Sequence, residues 1–303
     1  MSSPTLELPP KPNGVTPLQV FLALAAVYLI WGSTYLGIRI ALEAYPPFLM
    51  GGLRFVAAGS LLYGFLRLRG HAPPTRAQWR NAMVLGLLLV MLVNGLVNFA
   101  EMTVSSGLAA VAIASMPLWV GMFSAFRGRH PSRVEWLGLG VGFAGVVWLN
   151  LGSAMSASLP GMLALLVATL SWAFGSVWSR GRDLAPPFMN TAAQMLCGGA
   201  MMGLLGLLLG ERMHEVPPLR PSLAVLYLIT FGSIVAYSAY SWLLLHVRPA
   251  LATSYAYVNP PIAVLLGMLT LGEYVDARMV GAMVVILSGV LIITLAKARE
   301  AKP

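Results

Sequence analysis

The stretch that decides the fold occurs twice in this chain. Trp31–Phe48 reads WGSTYLGIRIALEAYPPF, and Trp172–Phe188 reads WAFGSVWSRGRDLAPPF. Both copies place a tryptophan and an arginine eight residues apart and then reach Pro-Pro-Phe. Each copy joins the end of one apolar run to the start of the next. The sequence therefore predicts two related halves that begin with similar pairs of segments.

A second pair of stretches supports the internal repeat. Gly107–Pro117 (GLAAVAIASMP) corresponds to Ala250–Pro260 (ALATSYAYVNP) at an offset of 143 residues. The alternative is chance, because Gly, Ala and Pro recur in any apolar chain. Chance does not account for the paired Trp, Arg and Pro-Pro-Phe, so we favour a repeat.

The composition is that of a membrane protein. Of the 303 residues, 58% are hydrophobic and 10% are charged, whereas about one quarter of a soluble globular chain is charged. A soluble fold, a disordered chain, collagen and a coiled coil are therefore excluded. Because a helical crossing needs roughly 20 apolar residues, the chain has room for about ten crossings.

The apolar runs define the predicted fold. They predict ten spans, at residues 17–42, 46–68, 79–100, 105–126, 133–151, 158–180, 186–210, 221–244, 249–271 and 276–297. The runs are continuous, whereas the strands of a membrane β-barrel alternate in polarity. Since each half has five spans, an odd number, the second half starts from the opposite face of the membrane. We predict an all-α membrane protein with ten transmembrane helices, arranged as two inverted five-helix repeats around a central cavity.

The positive charges predict the orientation. Of the 19 Lys and Arg residues, 14 fall on the side shared by both termini, four fall opposite, and Arg54 lies inside a span. By the positive-inside rule, the tails at 1–16 and 298–303 are cytoplasmic, and the repeats comprise 17–151 and 158–297. The net charge of +9 is explained by this topology and by anionic lipid rather than by nucleic acid. We expect a multi-pass membrane protein.

Short motifs occur here in an order typical of one family. They are Trp31-Gly32-Ser33-Thr34-Tyr35, Pro46, Arg54-Phe55, Ala109-Ala110, Pro117 and Leu271-Gly272-Glu273. On these residues the chain resembles the EamA family of the drug/metabolite transporter superfamily over nearly its whole length. The resemblance implies a ten-helix, five-plus-five transporter, similar to bacterial inner-membrane exporters of amino acids and aromatic metabolites. One departure is Arg129-His130, where the repeat would require Gly-Glu, so only Glu273 carries that part of the pattern.

A polar stripe is predicted on the third span. Asn94, Asn98 and Glu101 recur at i, i+4 and i+7 and share one helix face. Polar groups are costly in hydrocarbon, so the stripe faces protein or water. The repeat offset carries it to Tyr237, Ser241 and Leu244 on the eighth span, and Ser233 and Tyr240 lie close to that face. Two such stripes would line a central cavity; the alternative is hydrogen bonding that only holds the helices together.

Aromatic residues form a second predicted group. Trp31 and Tyr35 lie in the first span, and Trp172 lies at the corresponding place in the sixth. As cavity walls they would suit flat, partly apolar solutes through stacking and through cation–π contact with an amine. The alternative is packing in the core of the bundle.

Prolines form a third predicted group. Pro117 in the fourth span and Pro260-Pro261 in the ninth each remove a backbone donor, so they kink their helices. We interpret the matched kinks as gates, although static packing geometry is the alternative. Three further substrate-binding candidates flank these prolines, namely Trp119, Tyr255 and Asn259.

Charges inside the spans are few. Arg54 lies about 12 Å along its helix from the outer end, deep enough to need a partner. We hypothesise a pair with Glu101; snorkelling to the interface is the alternative. Arg54, Glu101 and Glu273 are thus assigned as structural charges. A single arginine disfavours phosphorylated cargo, and the acids lie in tails, loops or span ends, which slightly favours uniport over proton-coupled antiport.

These features lead to a transport hypothesis. We expect an exporter of small amphipathic metabolites, with aromatic or hydrophobic amino acids as cargo, that works by alternating access. The alternatives are a membrane enzyme that transfers a lipid-linked group, a drug or other-metabolite exporter of the same fold, and a lipid-handling or scaffold protein. No catalytic residue, metal or cofactor is expected. The partners are a small-molecule substrate and membrane lipid, without nucleic acid, and the chain is compatible with a monomer.

Overall fold

In the described part of the chain, all regular secondary structure is helical. A computed structural model describes residues 15–126, 132–152, 158–213, 215–247 and 255–300. The helices are α1 Pro17–Ala41, α2 Pro47–Leu68, α3 Arg76–Ala100, α4 Ser106–Ile113, α5 Met116–Phe126, α6 Arg133–Gly152, α7 Leu159–Trp178, α8 Pro187–Leu208, α9 (Leu219–Tyr227, Leu228–Val235 and Ala236–His246), α10 Tyr255–Leu271 and α11 Ala277–Glu300.

Many of these helices can cross a bilayer. Within the described ranges, seven helical stretches are long and apolar enough, at Pro17–Ala41, Pro47–Leu68, Arg76–Ala100, Ser106–Phe123, Leu159–Trp178, Pro187–Leu208 and Leu219–Leu243. Two shorter apolar helical stretches follow, Val258–Leu271 and Ala277–Ile292. The prediction of an all-helical membrane protein is confirmed. The number of ten spans and their inversion stay predictions.

The Pro-Pro-Phe motif marks a helix start in both halves. Helix α2 begins at Pro47 and α8 begins at Pro187, and each is preceded by a second proline, Pro46 or Pro186, with extended backbone. Proline suits the first helical position because its fixed φ is helical and its missing N–H would have no partner there. The repeated motif therefore sets the entry of two equivalent helices.

Helices α3 and α9 each contain a π-helical segment at corresponding positions. The first comprises Gly86–Met91 and the second Leu228–Val235. At the repeat offset of 143 residues, the first segment corresponds to positions within the second. A π segment widens the turn and changes which carbonyls remain free within the helix. Both segments supply carbonyls to side chains near the centre of the bundle, as described below.

The packing of the first half on the second is reciprocal. Helix α2 packs against α8, and α6 packs against α11. Helix α3 of the first half packs against α7 of the second, and the corresponding α9 packs against α1. In the same way, α5 packs against α7, and α10 packs against α1. The α2–α8 contact is close because glycines face each other: a Cβ on Gly52 would lie 2.6 Å from the Gly203 Cα. The described helices thus form one bundle in which each half contacts the other.

Candidate functional site

A central cavity lies between the two halves. Its volume is about 80 Å³, room for a few water molecules, so a larger solute needs more space than the cavity has in this conformation. Nine of the residues selected from the sequence line it: Trp31, Tyr35, Arg54, Asn94, Trp172, Tyr237, Tyr255, Asn259 and Pro260. Thr34, which was not among the predicted cavity residues, also lines the cavity, three residues after Trp31 on the same face of α1.

An aromatic cluster forms one wall of the cavity. The Trp31 ring centroid lies 5.0 Å from that of Tyr237, 5.2 Å from that of Tyr240 and 4.9 Å from that of Tyr255. Two of these contacts are edge-on, an arrangement that the ring quadrupoles favour. The Trp31 Nε1 donates to the Gly232 carbonyl over 3.2 Å, which fixes the indole against the π segment of α9. Tyr240 completes this cluster without lining the cavity itself.

The polar stripe on α3 divides between two environments. Asn94 lines the cavity, and its Nδ2 donates to the Leu89 carbonyl in the π segment over 3.3 Å. Asn98, predicted to line the cavity, instead lies fully buried outside it, and its Nδ2 donates to the Pro47 carbonyl over 3.0 Å. Asn98 therefore holds the start of α2 against α3.

Two further predicted residues lie outside the cavity lining. The Trp119 ring centroid is 5.6 Å from that of Phe143 on α6, and its Nε1 donates to the Ser115 Oγ over 3.4 Å. Ser241 is buried, with its hydroxyl 3.4 Å from that of Thr191 on α8. Both side chains therefore contact helices of the bundle rather than the cavity.

Arg54 is buried and faces the cavity. Its side chain is 2% exposed, and its Nε donates to the Ser233 Oγ over 2.9 Å. The hypothesised pair with Glu101 is not formed: among the described residues, neither Glu101 carboxylate oxygen has a hydrogen-bond partner. Snorkelling is not observed either, because the guanidinium is held inside the bundle by α9. The burial of Arg54 agrees with the prediction that it needs a partner inside the protein, but that partner is a hydroxyl on α9.

Glu101 lies at the turn that follows α3 and is fully buried. The Arg39 guanidinium donates to its backbone carbonyl rather than to its carboxylate. Burial raises the pKa of the Glu101 carboxyl well above its usual range, and the charge of Glu273 adds to the shift. The positive charges of Arg39 and Arg54 oppose it without reversing it. A neutral carboxyl is therefore favoured at this position.

Glu273 caps the start of α4. Its carboxylate accepts from the Ser106 backbone N–H and the Ser106 hydroxyl, each over 2.8 Å, and from the Gly107 N–H over 3.2 Å. A negative charge at a helix N-terminus also interacts favourably with the helix dipole. Glu211 does the same for α2, accepting from the Phe48 and Leu49 N–H groups. Glu211 was not among the residues predicted to have a role.

The predicted proline kinks differ between the two spans. Helix α4 ends at Ile113 and α5 begins at Met116, so the fourth span is interrupted just before Pro117. Helix α10 runs unbroken through Pro260 and Pro261. Pro260 lines the cavity. The helix is therefore broken before Pro117 in the fourth span, whereas it stays continuous through Pro260 and Pro261 in the ninth.

Comparison with known proteins extends these observations. The sequence model of the EamA-like transporter family matches residues 18–151 and 159–295. The chain is 45% identical over 281 residues to the uncharacterized inner membrane transporter YedA of Escherichia coli strain K12, covering 92% of each. It is 27% identical over 268 residues to protein PecM of Dickeya dadantii, covering 87% of this chain and 88% of that protein.

One solved structure has a similar fold. A crystal structure matches with a TM-score of 0.65 at 22% identity, covering 95% of this chain and 100% of the other. At this identity the similarity concerns the fold alone. It supports the helical arrangement in which the cavity is found.

Proposed function

This chain belongs to the EamA-like transporter family, and from that membership we propose that it exports small amphipathic metabolites, with aromatic and hydrophobic amino acids as cargo. The family consists of transporters, so a membrane enzyme that transfers a lipid-linked group is excluded. The YedA relative is an inner membrane transporter by name, and we propose the same membrane for this chain.

The aromatic wall of the central cavity is the observation that carries the proposed cargo. Trp31, Tyr237 and Tyr255 present ring faces and edges, while Asn94 and Asn259 supply amide groups. Cavities that bind small molecules combine a mostly apolar surface with a few placed polar groups. An amino acid with an apolar side chain has the matching chemistry.

Alternating access follows from the proposed inverted repeat. Three observations support two equivalent halves: the family model matches twice, the π segments share the 143-residue offset, and the packing of the halves is reciprocal. Two equivalent halves can exchange conformations around a fixed site, which opens it to each side in turn. We propose ten spans with both tails in the cytoplasm, and a gating role for Pro117 and Pro260-Pro261.

Uniport and proton-coupled antiport are both compatible with the fold. In the described residues, no acidic side chain lines the cavity, which favours uniport down a cytoplasmic surplus. Glu101 is the candidate proton carrier for antiport, because it is buried and interacts electrostatically with Arg54 in the cavity wall. The transport assay therefore includes a pH gradient.

The test is flux through purified protein in lipid vesicles. Labelled tryptophan, phenylalanine, threonine and a charged polar solute are compared, each with and without a pH gradient. We expect saturable flux of tryptophan and phenylalanine that exceeds flux of the polar solute. Trp31→Ala should reduce this flux, whereas Trp136→Ala, on an exposed face of α6, should not.

The outcomes separate the remaining alternatives. Absence of saturable flux from folded protein would overturn the transport of amino acids. Preference for the polar solute would instead indicate an exporter of other metabolites with the same fold. Flux that requires a pH gradient would indicate proton-coupled antiport.

A further inference from the structure

We propose that Arg54 binds a carboxylate of the transported solute, so that the cavity selects monocarboxylates with an apolar body. This inference deepens the proposed function and rests on it for the identification of the ligand as cargo. It requires that the guanidinium be accessible from the cavity, free of a direct ion pair with a protein carboxylate and adjacent to the aromatic wall. Each condition is met by the described residues.

The guanidinium is fixed on one side and open on the other. Its Nε donates to the Ser233 Oγ over 2.9 Å, and a Cβ on Gly232 would lie 3.2 Å from its Nη2. Arg54 also lines the cavity, and its terminal nitrogens have no hydrogen-bond partner among the described residues. A guanidinium whose Nε is already bound presents the remaining N–H groups in a planar fork, which fits a carboxylate.

The positive charge has no counter-charge in the cavity wall. In the part of the chain that the structure describes, Arg54 is the only charged side chain that lines the cavity. Glu101 does not pair with it, and burial favours the neutral form of that carboxyl. The guanidinium contacts the Ser233 hydroxyl and the Phe55 ring, whose centroid lies 4.6 Å from its Cζ, but it has no opposite charge beside it. A buried charge without a counter-charge is destabilising, and a ligand carboxylate would reduce that cost. One arginine matches one negative charge rather than a phosphate dianion.

The carboxylate site and the aromatic wall share the same short piece of backbone. Trp31 donates to the carbonyl of Gly232, and Arg54 donates to the hydroxyl of Ser233, the next residue in the π segment of α9. A solute held by Arg54 would therefore place its body beside Trp31. This arrangement specifies an acid group attached to an aromatic or aliphatic body.

Two pairs of probes test the inference directly. L-Phenylalanine is compared with L-phenylalaninamide, and benzoate with benzamide, because each pair differs only in whether the carboxylate is present. Apparent dissociation constants are obtained from the shift of the thermal unfolding midpoint of purified protein. For a charge-assisted contact we expect the acid to bind about 10- to 100-fold more tightly than its amide.

Variants locate the effect. In Arg54→Gln the ratio of the dissociation constants of amide and acid should fall to near one. In Arg54→Lys this ratio should be intermediate, because the charge remains but the planar pair of N–H donors is lost. Arg220→Gln is the matched control, since Arg220 is exposed and lies 3.3 Å from Glu43 in a surface ion pair. Its ratio should be that of the wild type. If Arg54→Gln does not fold, Ser233→Ala replaces it and should weaken binding of the acid alone.

Failure of this inference is distinguishable from failure of the proposed function. Equal binding of acid and amide by the wild type, binding of neither, or an unchanged ratio in Arg54→Gln would overturn the role of Arg54. Discrimination between acid and amide without saturable flux in vesicles would leave Arg54 as a carboxylate site and overturn export. Saturable flux of phenylalaninamide equal to that of phenylalanine would leave transport standing and overturn the inference.

Discussion

Replacing Glu101 with glutamine is expected to stabilise the protein increasingly as pH rises. Both carboxylate oxygens are buried and have no hydrogen-bond partner in the described part of the chain. Burial raises the pKa of this carboxyl well above its usual range. The folded protein therefore retains the proton at pH values where the unfolded chain has lost it. Stability is highest below the unfolded pKa and falls as pH rises toward the folded pKa.

The size of the effect follows from linkage. One group that holds a proton in the folded state but not in the unfolded state lowers the free energy of unfolding by about 1.4 kcal/mol per pH unit between its two pKa values. Glutamine has nearly the same shape and does not ionise, so Glu101→Gln removes this slope. The advantage of the variant should be smallest near pH 5 and should grow toward pH 8.

The assay is the thermal unfolding midpoint in detergent across this pH range, for wild type and variant. Glu43→Gln is the matched control, because Glu43 is 41% exposed in a surface ion pair with Arg220 and such pairs contribute little. Its difference from the wild type should stay small at every pH. If Glu101 were ionised and stabilised by Arg39 and Arg54, Glu101→Gln would destabilise most at pH 8, and that result would refute the reasoning.

Three further predictions concern packing, capping and one hydrogen bond at the cavity. Gly52→Ala should lower the unfolding midpoint, because its Cβ would meet Gly203 and disturb the packing of α2 against α8. Its control is Gly64→Ala in the same helix, where the added Cβ meets nothing within 4 Å, and this variant should raise the free energy of unfolding by roughly 0.5–1 kcal/mol. Glu273→Ala removes the carboxylate that accepts from the Ser106 and Gly107 N–H groups, while Ser105 still accepts from the Leu108 N–H, and should cost about 0.5–2 kcal/mol in the same unfolding assay. Trp31→Phe leaves a π-segment carbonyl without its donor and should cost about 1–3 kcal/mol, while equal unfolding midpoints would contradict that cost.

The sequence predicted the class of fold and much of the cavity, but it could not assign every side chain. Asn94 and Asn98 share a helix face, yet they differ by about 6 Å along the axis. Asn94 and Val97 line the cavity, whereas the Asn98 side chain is directed to the start of α2, where its amide donates to the Pro47 carbonyl. Which neighbour a polar side chain meets depends on where the adjacent helices begin, and the periodicity of one helix does not contain that information.

The hypothesised pair of Arg54 and Glu101 fails for a similar reason. The position of Arg54 within its predicted span indicated a need for a partner, and an acid at a similar position in a neighbouring span was the simplest choice. The observed partner is Ser233, a hydroxyl that is brought to the guanidinium by the packing of α2 against α9. Glu101 is a span-end residue in sequence but a buried one in three dimensions, because the turn after α3 is covered by other helices.

The irregular backbone of α3 and α9 relates the repeat to the cavity more directly than the prolines do. The Leu89 and Gly232 carbonyls are separated by the repeat offset of 143 residues, and each accepts from a cavity residue, Asn94 in one case and Trp31 in the other. Regular α-helical bonding would occupy these carbonyls within the helix. Both halves thus use the same departure from helical geometry to hold a cavity side chain. Since α10 passes through Pro260 without a break, the feature that the two halves share at the cavity is the π segment.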